Sequence, residues 1–229
     1  MSRAELRELA ELAGAELEGA HPVDVLRWAG ETFGDRFAIT SSMGDAVLTS
    51  LAAEAIPGVQ VVFLDTGYHF PQTLATRDRV ATELAVEVVT VKPQLTVAQQ
   101  NVKYGQSLYS RDPDLCCAMR KVEPLNRVLR GYDAWASGIR RDESASRANT
   151  PVVGWDVRRE MVKVNPLATW TQDDVDAYAA ERGVIINPLV ELGFASIGCA
   201  PCTQRVVPGE DARAGRWAGS EKTECGLHV

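Results

Sequence analysis

The sequence predicts one α/β domain whose parallel β-sheet is covered by helices on both faces, followed by an irregular, mobile C-terminal tail. Short apolar runs alternate along the chain with segments of helical periodicity, and this order is typical of a parallel sheet. The chain has 229 residues, of which 45% are hydrophobic, enough for one sizeable core but too few for two enzyme domains. From about Gly183 onward the periodicity fades into Gly, Pro and polar residues, which predicts the tail.

Breakers and caps set the boundaries of the predicted elements. Gly34 closes the second of two N-terminal helices, and Pro57 with Gly58 precedes the apolar second strand. Thr171 suits the N-cap of the last helix and Gly183 its C-terminal end. The predicted helices are 2–18, 22–33, 46–56, 71–84, 96–104, 115–129 and 171–182, and the predicted strands are 36–40, 59–64, 86–91, 132–137 and 161–164.

Composition and charge exclude several classes of protein. The net charge of −7 argues against a dedicated nucleic-acid binder, although a local cluster of Arg and Lys could still bind a small anion. No apolar run is long enough for a transmembrane helix, and the charged residues 1–17 are typical of a surface helix rather than a secretion signal. We therefore expect a cytoplasmic protein without a membrane partner, whose five cysteines serve metal binding or catalysis rather than disulfides.

Two polar loops follow neighbouring strands and predict a nucleotide site. The turn after the first strand contains Ser41, Ser42 and Gly44, which can present hydroxyl and backbone donors to a phosphate at a helix N-terminus. The next strand ends at Leu64 and leads into Asp65-Thr66-Gly67, at the sheet edge where α/β proteins bind ligands. For each loop taken alone, an ordinary small-residue turn or cap is the competing interpretation.

Four cysteines form two tight pairs, Cys116 with Cys117 and Cys199 with Cys202. Four soft thiolates suit either a [4Fe–4S] cluster or a tetrahedral zinc ion. Two ligands from adjacent residues demand an unusual local geometry, and zinc sites mostly use spaced pairs, so the spacing favours iron–sulfur. Buried free cysteines are common, but four in this arrangement disfavour that interpretation. A thioredoxin-like CxxC motif needs only one pair and would leave Cys116 and Cys117 unexplained.

The fifth cysteine, Cys225, lies four residues from the C-terminus. It is either a leftover thiol or a nucleophile on a swinging arm that attacks a substrate and presents the adduct to another protein. Cations near a cysteine favour its thiolate form, and arginine binds sulfate or phosphate oxygens through its planar fork. The candidate cations are Arg120, Lys121, Arg140, Arg141, Arg213 and Arg216.

Taken together, these segments resemble assimilatory adenylyl-sulfate (APS) reductase of the PAPS/APS reductase family, where PAPS is 3′-phosphoadenylyl sulfate. The segments that carry the resemblance are 64–68, 116–124, 138–141, 199–202 and 224–228, and it runs from about Phe37 to the end. It implies a PP-loop-like fold of the adenine nucleotide alpha hydrolase type. Residues 1–34 would then be helices packing on the core, 35–198 the nucleotide-binding reductase core, and 199–229 the CxxC turn and catalytic tail.

The resemblance also implies a mechanism. Cys116, Cys117, Cys199 and Cys202 would ligate a [4Fe–4S] cluster whose task is to shape the site. Cys225 would attack the sulfur of APS, release AMP and become an S-sulfocysteine. Thioredoxin or glutaredoxin would then reduce this adduct and release sulfite by thiol chemistry, as a step of assimilatory sulfate reduction and cysteine biosynthesis.

The same resemblance assigns substrate contacts. The residues implied around the nucleotide and its phosphosulfate are Ser41, Ser42, Asp45, Leu64, Thr66, Lys121, Gly138, Arg140, Arg141, Arg213, Arg216 and His228. One departure concerns the first turn, where an ATP-cleaving PP-loop reads Ser-Gly-Gly-x-Asp-Ser. Here Met43 replaces a glycine and Ala46 replaces the last serine. We therefore expect binding of a nucleotide with one phosphate rather than ATP pyrophosphatase chemistry.

Three other functions compete with this interpretation. A PAPS reductase would keep Cys225 and the nucleotide fold but normally lacks the four cluster cysteines. A PP-loop sulfur transferase acting on tRNA is disfavoured by the acidic charge and the altered turn. A cysteine-rich metal or redox sensor would leave the nucleotide-like loops without a purpose. The sequence leaves open whether the chain forms a homo-oligomer.

Overall fold

The computed structural model of the protein describes residues 1–207, 209–219, 222 and 224–227. Its six strands form one sheet in the order β3-β2-β1-β4-β6-β5. The strands are β1 Phe37–Thr40, β2 Gln60–Leu64, β3 Glu87–Val91, β4 Ala134–Ala136, β5 Val153–Asp156 and β6 Met161–Val164. Five of them are parallel, which confirms the predicted α/β class.

The edge strand β5 corrects the prediction of a wholly parallel sheet. It pairs with β6 in the antiparallel direction, with Val153 opposite Val164 and Asp156 opposite Met161. Residues 153–156 are not among the predicted strands, since they lack a continuous apolar run and contain a glycine. Only four residues separate the two strands, so this connection is a hairpin and not a helical crossover.

The helices lie where the periodicity predicts them, with one addition and one interruption. They are α1 Arg3–Glu16, α2 Pro22–Phe33, α3 Val47–Ala55, α4 Pro71–Glu83, α5 Val97–Tyr104, α6 Leu108–Arg111, α7 Pro113–Cys117, α8 Glu123–Leu129 and α9 Gln172–Arg182. The short helix α6 was not predicted. The predicted helix 115–129 is interrupted because a π-helical turn, Ala118–Val122, joins α7 to α8.

Local capping explains several of these boundaries. Ser2 and Glu5 form a reciprocal capping box at the start of α1, and Thr171 and Asp174 form another at the start of α9. Gly183 ends α9 with φ of +61°, a conformation that glycine adopts without steric cost. These are short-range signals, so they can be recognised in the sequence.

Strand residues alternate between two hydrophobic cores, one on each face of the sheet. On the larger face, Ile39 of β1 and Phe63 of β2 pack with residues of α1, α2, α3 and α9. On the other face, Ala38 and Trp135 pack with Leu125 and Leu129 of the α8 segment. The period of two along each strand therefore places successive side chains in different cores.

The chain adds strands on one side of β1 first and then on the other, so the strand order reverses between β1 and β4. The order runs outward from β1 through β2 to β3 on one side and through β4 and β6 on the other. The loops that follow β1 and β4 therefore diverge and leave a crevice at the carboxyl ends of the strands, where open α/β sheets bind ligands. Among the residues that the structure describes, no helix is both long and apolar enough to cross a membrane.

Candidate active site

A cavity of about 570 Å³ opens at the crevice between β1 and β4. The loops after β1, β2 and β4 line one part of the cavity, which we call the strand-end wall. The C-terminal tail and residues 195–198 line another part, which we call the tail wall. The sequence-predicted residues among its lining are Ser41, Ser42, Asp45, Leu64, Thr66, Lys121, Gly138, Arg140, Arg213, Arg216 and Cys225. The fold therefore brings residues from five distant parts of the chain to one site.

The turn after β1 has a backbone shaped like that of a glycine-containing loop. Met43 has φ of +59° and is fully buried, and its N–H donates to Ser41 Oγ at 3.2 Å. A side chain in this left-handed conformation costs about 1 kcal/mol or more, which burial of the Met43 side chain offsets. Met43 therefore adopts the left-handed conformation that glycine usually supplies.

Asp45 ends this turn, and its Oδ1 accepts from the N–H of Val47, the first residue of α3, at 3.0 Å. Burial raises the pKa of Asp45 above its ordinary value, against the opposing influence of that N–H and of Arg140. Asp45 also pairs with Ile186 in an isolated β-bridge, which attaches the turn to the chain beyond α9. The carboxyl group thus belongs to both the turn and the cavity wall.

The loop after β2 links the cavity to the cysteines. Thr66 Oγ1 lies 3.3 Å from Cys199 Sγ and accepts from the Tyr68 N–H at 3.3 Å. His69, which the sequence analysis did not identify, also lines the cavity. Burial lowers its pKa, and its Nε2 bonds the Leu64 carbonyl oxygen at 2.8 Å, so the neutral ring carries its proton on Nε2. Its Nδ1 then remains an acceptor, and no described group donates to it.

The loop after β4 separates the two adjacent arginines. Arg140 lines the cavity, where Gln172 Oε1 accepts from its Nη2 at 2.6 Å and Asp142 Oδ1 from its Nε at 3.2 Å. Arg141 lies outside the cavity lining and pairs with Glu18 at 2.7 Å and 3.0 Å. The structure therefore does not bring Arg141 to the other predicted substrate contacts, because a 3₁₀ turn begins at Arg141 and its guanidinium is held by Glu18.

The four paired cysteines line a second, smaller cavity beside the first. Cys116 and Cys117 end α7, and the π-helical turn that follows them widens the helix and shifts Arg120 and Lys121 relative to the pair. Cys199 and Cys202 flank a 3₁₀ turn that begins at Ala200. The adjacent pair therefore lies in a regular helical turn, and the unusual geometry belongs to the segment that follows it.

The electrostatics of this cavity suit a cationic group bound by thiolates. All four cysteines are free thiols. Burial raises the pKa of Cys116 to about 12 and that of Cys202 to about 11, and neighbouring cysteines add to both shifts. Four thiolates at neutral pH therefore need a metal to compensate their charge.

The number and type of the donors limit which group could bind here. Within the described ranges, no three His, Cys, Asp or Glu side chains are arranged to hold a single metal ion. An iron–sulfur cluster takes one thiolate per iron, so its ligands stand farther apart than those of a single ion. Four cysteines around one cavity fit that requirement.

Arg120 fixes the cysteine helix to the loop after β2. Its Nε donates to the Thr66 carbonyl oxygen at 2.5 Å, its Nη1 donates to Gln100 Oε1 at 2.9 Å, and its guanidinium lies over the Tyr68 ring. Gly67 has φ of +73°, and a Cβ there would lie 3.0 Å from Arg120 Nη2. Glycine at this position therefore leaves room for the buried arginine that joins the two cavities.

Cationic groups gather where the two cavities meet. Lys121 lines both cavities. Burial lowers the pKa of Lys121, but the negative charge of Cys199 and Cys225 raises it by more, so its pKa lies above the ordinary value. Arg216 lies against Gly198, where a Cβ would come within 2.4 Å of its Nη2. Burial and Arg213 lower the pKa of Arg216, but a guanidinium stays charged at neutral pH.

Several groups at this junction were missed in the sequence. Trp217 lines both cavities, and its Nε1, like Arg216 Nε, is buried without a partner among the described residues. Such donors can bind the oxygens of an anion. Arg147 and Glu143 also line the large cavity. No local motif identified Trp217, Arg147 or Glu143, although Trp217 follows the basic segment 213–216.

The nucleophile candidate Cys225 lies in the wall of the large cavity. Glu224, next to it, accepts from Arg147 and Arg213, and these contacts attach the tail to the cavity rim. The structure thus brings Cys225, Lys121, Arg213 and Arg216 to one site. His228, the remaining sequence-predicted contact, lies outside the described residues.

Known proteins with the same features identify the family of this chain. Residues 36–205 match the family model described as the phosphoadenosine phosphosulfate reductase domain. An adenosine 5′-phosphosulfate reductase from Streptomyces coelicolor is 63% identical, and one from Mycolicibacterium smegmatis is 53% identical, each over 98% of this chain and 95% of its own length. The crystal structure of a phosphoadenylyl-sulfate reductase from Candida auris, a phosphate complex, superposes with a TM-score of 0.73 at 29% identity, covering 87% of this chain and 97% of that one. On this basis the chain belongs to the phosphoadenosine phosphosulfate reductase family.

Proposed function

We propose that this enzyme reduces APS to sulfite and AMP through an S-sulfocysteine on Cys225. The observation that carries the proposal is that Cys225 lines the same cavity as the strand-end loops and as Lys121, Arg213 and Arg216. A nucleotide held by those loops would have its charged end toward the cations and the thiol. The names of the relatives from S. coelicolor and M. smegmatis support the same substrate.

The substrate's parts match the two ends of the cavity. The phosphosulfate of APS is a mixed anhydride with negative charge on both phosphate and sulfate, and arginine and lysine bind such oxygens well. The adenosine would lie against the loops after β1, β2 and β4, which offer hydroxyl groups, backbone donors and the His69 Nδ1 acceptor. Cations near the leaving phosphate also stabilise the charge that develops there.

The first chemical step is a displacement at sulfur. The Cys225 thiolate attacks the sulfur of APS, a sulfur–sulfur bond forms, and the bond from sulfur to the bridging oxygen breaks. AMP leaves with that oxygen and with the electron pair of the broken bond. Lys121, Arg213 and Arg216 would orient the sulfate and neutralise the phosphate during this step.

The second step needs an external dithiol such as thioredoxin or glutaredoxin. One thiolate of the dithiol attacks Cys225 Sγ and expels sulfite, which leaves a mixed disulfide. The second thiol then resolves that disulfide, so the dithiol is oxidised and Cys225 returns to the thiol. The two electrons that convert sulfate to sulfite come from the dithiol. In a cell this reaction would supply sulfite for cysteine biosynthesis.

The four paired cysteines would hold a [4Fe–4S] cluster next to this site. When bound, the cluster would supply positive charge that compensates four thiolates and would fix the two cysteine segments relative to each other. Lys121 lines both cavities, and Thr66, which lines the large one, lies 3.3 Å from Sγ of Cys199 in the small one. Through them the shape of the cysteine site affects the position of groups that contact the substrate.

Turnover with two substrates tests the proposed reaction. Anaerobically purified enzyme with reduced thioredoxin should release sulfite from APS, and PAPS should be a poor substrate. Release of sulfite mainly from PAPS would keep the cysteine chemistry and overturn the assigned substrate. Failure to release sulfite from either nucleotide, by protein that contains iron and acid-labile sulfide, would refute the reductase assignment and favour a metal sensor.

A further inference from the structure

The C-terminal tail is held on both sides of Cys225. On the N-terminal side, Glu224 accepts from Arg147 Nε and Nη2, both at 3.0 Å. On the C-terminal side, the Gly226 carbonyl oxygen accepts from Arg158 Nη1 at 3.1 Å, and the Leu227 carbonyl oxygen accepts from Arg159 Nη1 at 3.1 Å. These two arginines belong to the turn between β5 and β6, the hairpin that the sequence analysis did not predict.

Arg159 is rigidly built into the protein before it reaches the tail. Its side chain is 6% exposed, and its Nη1 lies 2.7 Å from Oδ2 of Asp156, which is 8% exposed. Its Nε donates to Asn126 Oδ1 at 2.8 Å, and its guanidinium lies over the Trp135 ring. Trp135 Nε1 donates to the same Asp156 oxygen at 3.1 Å. A buried guanidinium with this many partners has a fixed orientation and presents the tail with preorganised donors.

The tail segment also fits the surface beneath it. Leu227 packs against the smaller core that contains Leu125, Leu129 and Trp135. Gly226 has φ of +74°, which turns the chain between the nucleophile and this apolar contact. Backbone hydrogen bonds, one apolar side chain and a left-handed glycine thus define one docked position for residues 226–227. We call the surface that holds them there the seat.

Arg158 and Arg159 differ from the other arginines near the tail because they are not among the residues that line the large cavity. They contact the tail and not the space where a nucleotide would lie. Arg147 and Arg213, by contrast, contact both Glu224 and the cavity. The hairpin pair can therefore act on the reaction only through the position of the tail.

We propose that the turn between β5 and β6 is the docking site of the C-terminal tail, and that Arg159, assisted by Arg158, is a positioning residue for Cys225. The tail docks whether or not APS is the substrate. The consequence for catalysis rests on the proposed function. The seat holds the two residues that follow Cys225, so loss of the seat leaves the thiol attached at Glu224 alone.

Two variants and a matched control test the docking. Arg158→Ala removes one exposed donor, and Arg159→Lys keeps a positive charge for Asp156 but cannot reach Asn126 and Leu227 together. Arg27→Ala removes an exposed arginine of α2 that pairs with Asp24 and serves as the control. Carboxypeptidase is added, and intact mass records the rate at which Leu227 and preceding residues are lost.

The expected rate of Leu227 loss depends on the strength of the hydrogen bonds that each substitution removes. Arg158→Ala should lose Leu227 about fivefold faster than the unsubstituted protein, and Arg159→Lys roughly tenfold faster or more. Arg27→Ala should match the unsubstituted protein. Equal rates for all four proteins would overturn the docking site. If thermal unfolding shows that Arg159→Lys is misfolded, Arg158→Ala alone decides.

Kinetics separate positioning from substrate contact. In each hairpin variant, the rate of first-turnover adduct formation should fall by about the factor by which the carboxypeptidase rate rises. KM for APS and the affinity for AMP should stay unchanged. A rise in KM with unchanged kcat would mean that these arginines contact substrate, which would overturn the positioning role. Should no protein form an adduct while the carboxypeptidase rates still differ, the reductase assignment fails and the docking site stands.

Discussion

The two walls of the large cavity differ in how the chain builds them. The strand-end wall consists of loops that directly follow β1, β2 and β4, so the carboxyl ends of three parallel strands deliver Ser41, Thr66 and Arg140 to one edge. The tail wall consists of irregular chain that long-range contacts hold in place, such as Glu224 with Arg147, 77 residues apart. The difference teaches that topology positions the strand-end loops, where we propose that the nucleotide binds, whereas the position of the proposed nucleophile Cys225 depends on a few charged contacts between distant residues.

The largest effect is expected in the tail wall, from Cys225→Ser. A serine hydroxyl is a far weaker nucleophile than a thiolate, so sulfite release should fall below detection. AMP affinity should stay within about twofold, because the strand-end wall is intact. A sulfite assay measures the loss of turnover, and equilibrium binding of AMP measures the retained affinity. Residual turnover at a tenth of the normal rate or more would show that another thiol reacts.

The next largest effect concerns the junction between the walls. Cys199→Ser should lose most of its iron and acid-labile sulfide, because a hydroxyl is a poor ligand where a thiolate is required. Cys225→Ser, which changes a cysteine outside the small cavity, is the matched control and should keep its full iron content. A Cys199→Ser protein with undiminished iron would remove Cys199 from the ligand set.

A pair of adjacent arginines tests the strand-end wall alone. Arg140→Gln should weaken AMP binding about tenfold, because a charged donor in the cavity is lost. Arg141→Gln should change AMP affinity by less than about twofold, since Arg141 pairs with Glu18 outside the cavity. Titration of AMP against both variants measures the difference. Equal losses in the two variants would mean that Arg141 reaches the nucleotide after all.

The smallest effect is a stability change at Asp45. Burial raises the folded-state pKa of this carboxyl, so ionisation destabilises the fold as pH rises from the unfolded pKa of about 3.9 through the folded one. Asp45→Asn removes that charge and keeps an oxygen for the Val47 N–H. Its Tm at pH 7 should rise by roughly 2–4 °C, and the gain should vanish below about pH 4. Thermal unfolding at both pH values would contradict this account if the gain did not depend on pH.

Much of the fold and of the strand-end wall could be predicted because their signals are local. Apolar strand runs, the Thr171 cap and Gly183 lie within a few residues of the structure that they determine. The loop residues Ser41 and Thr66 were predicted because they directly follow strands. Such signals need no knowledge of distant parts of the chain.

The remaining features depend on partners far along the chain. Strand β5 was missed because residues 153–156 carry no strand pattern of their own, and it is their pairing with β6 that makes them a strand. Arg141 was predicted as a substrate contact, yet Glu18, 123 residues away, holds it outside the cavity. Arg159 and Arg147 were missed because each acquires its role only when the tail lies against it. Trp217 was missed because only the folded chain brings it to both cavities. Whether the tail is mobile stays a prediction.

The central claim is that the two walls meet around one reaction at Cys225. Its most direct test is the intact mass of anaerobically purified protein after incubation with APS and without any thiol. We predict that the protein gains the mass of one sulfonate group, that peptide mapping locates it on Cys225, and that Cys225→Ser gains nothing. An unmodified protein, or an adduct that persists in Cys225→Ser, would contradict the account.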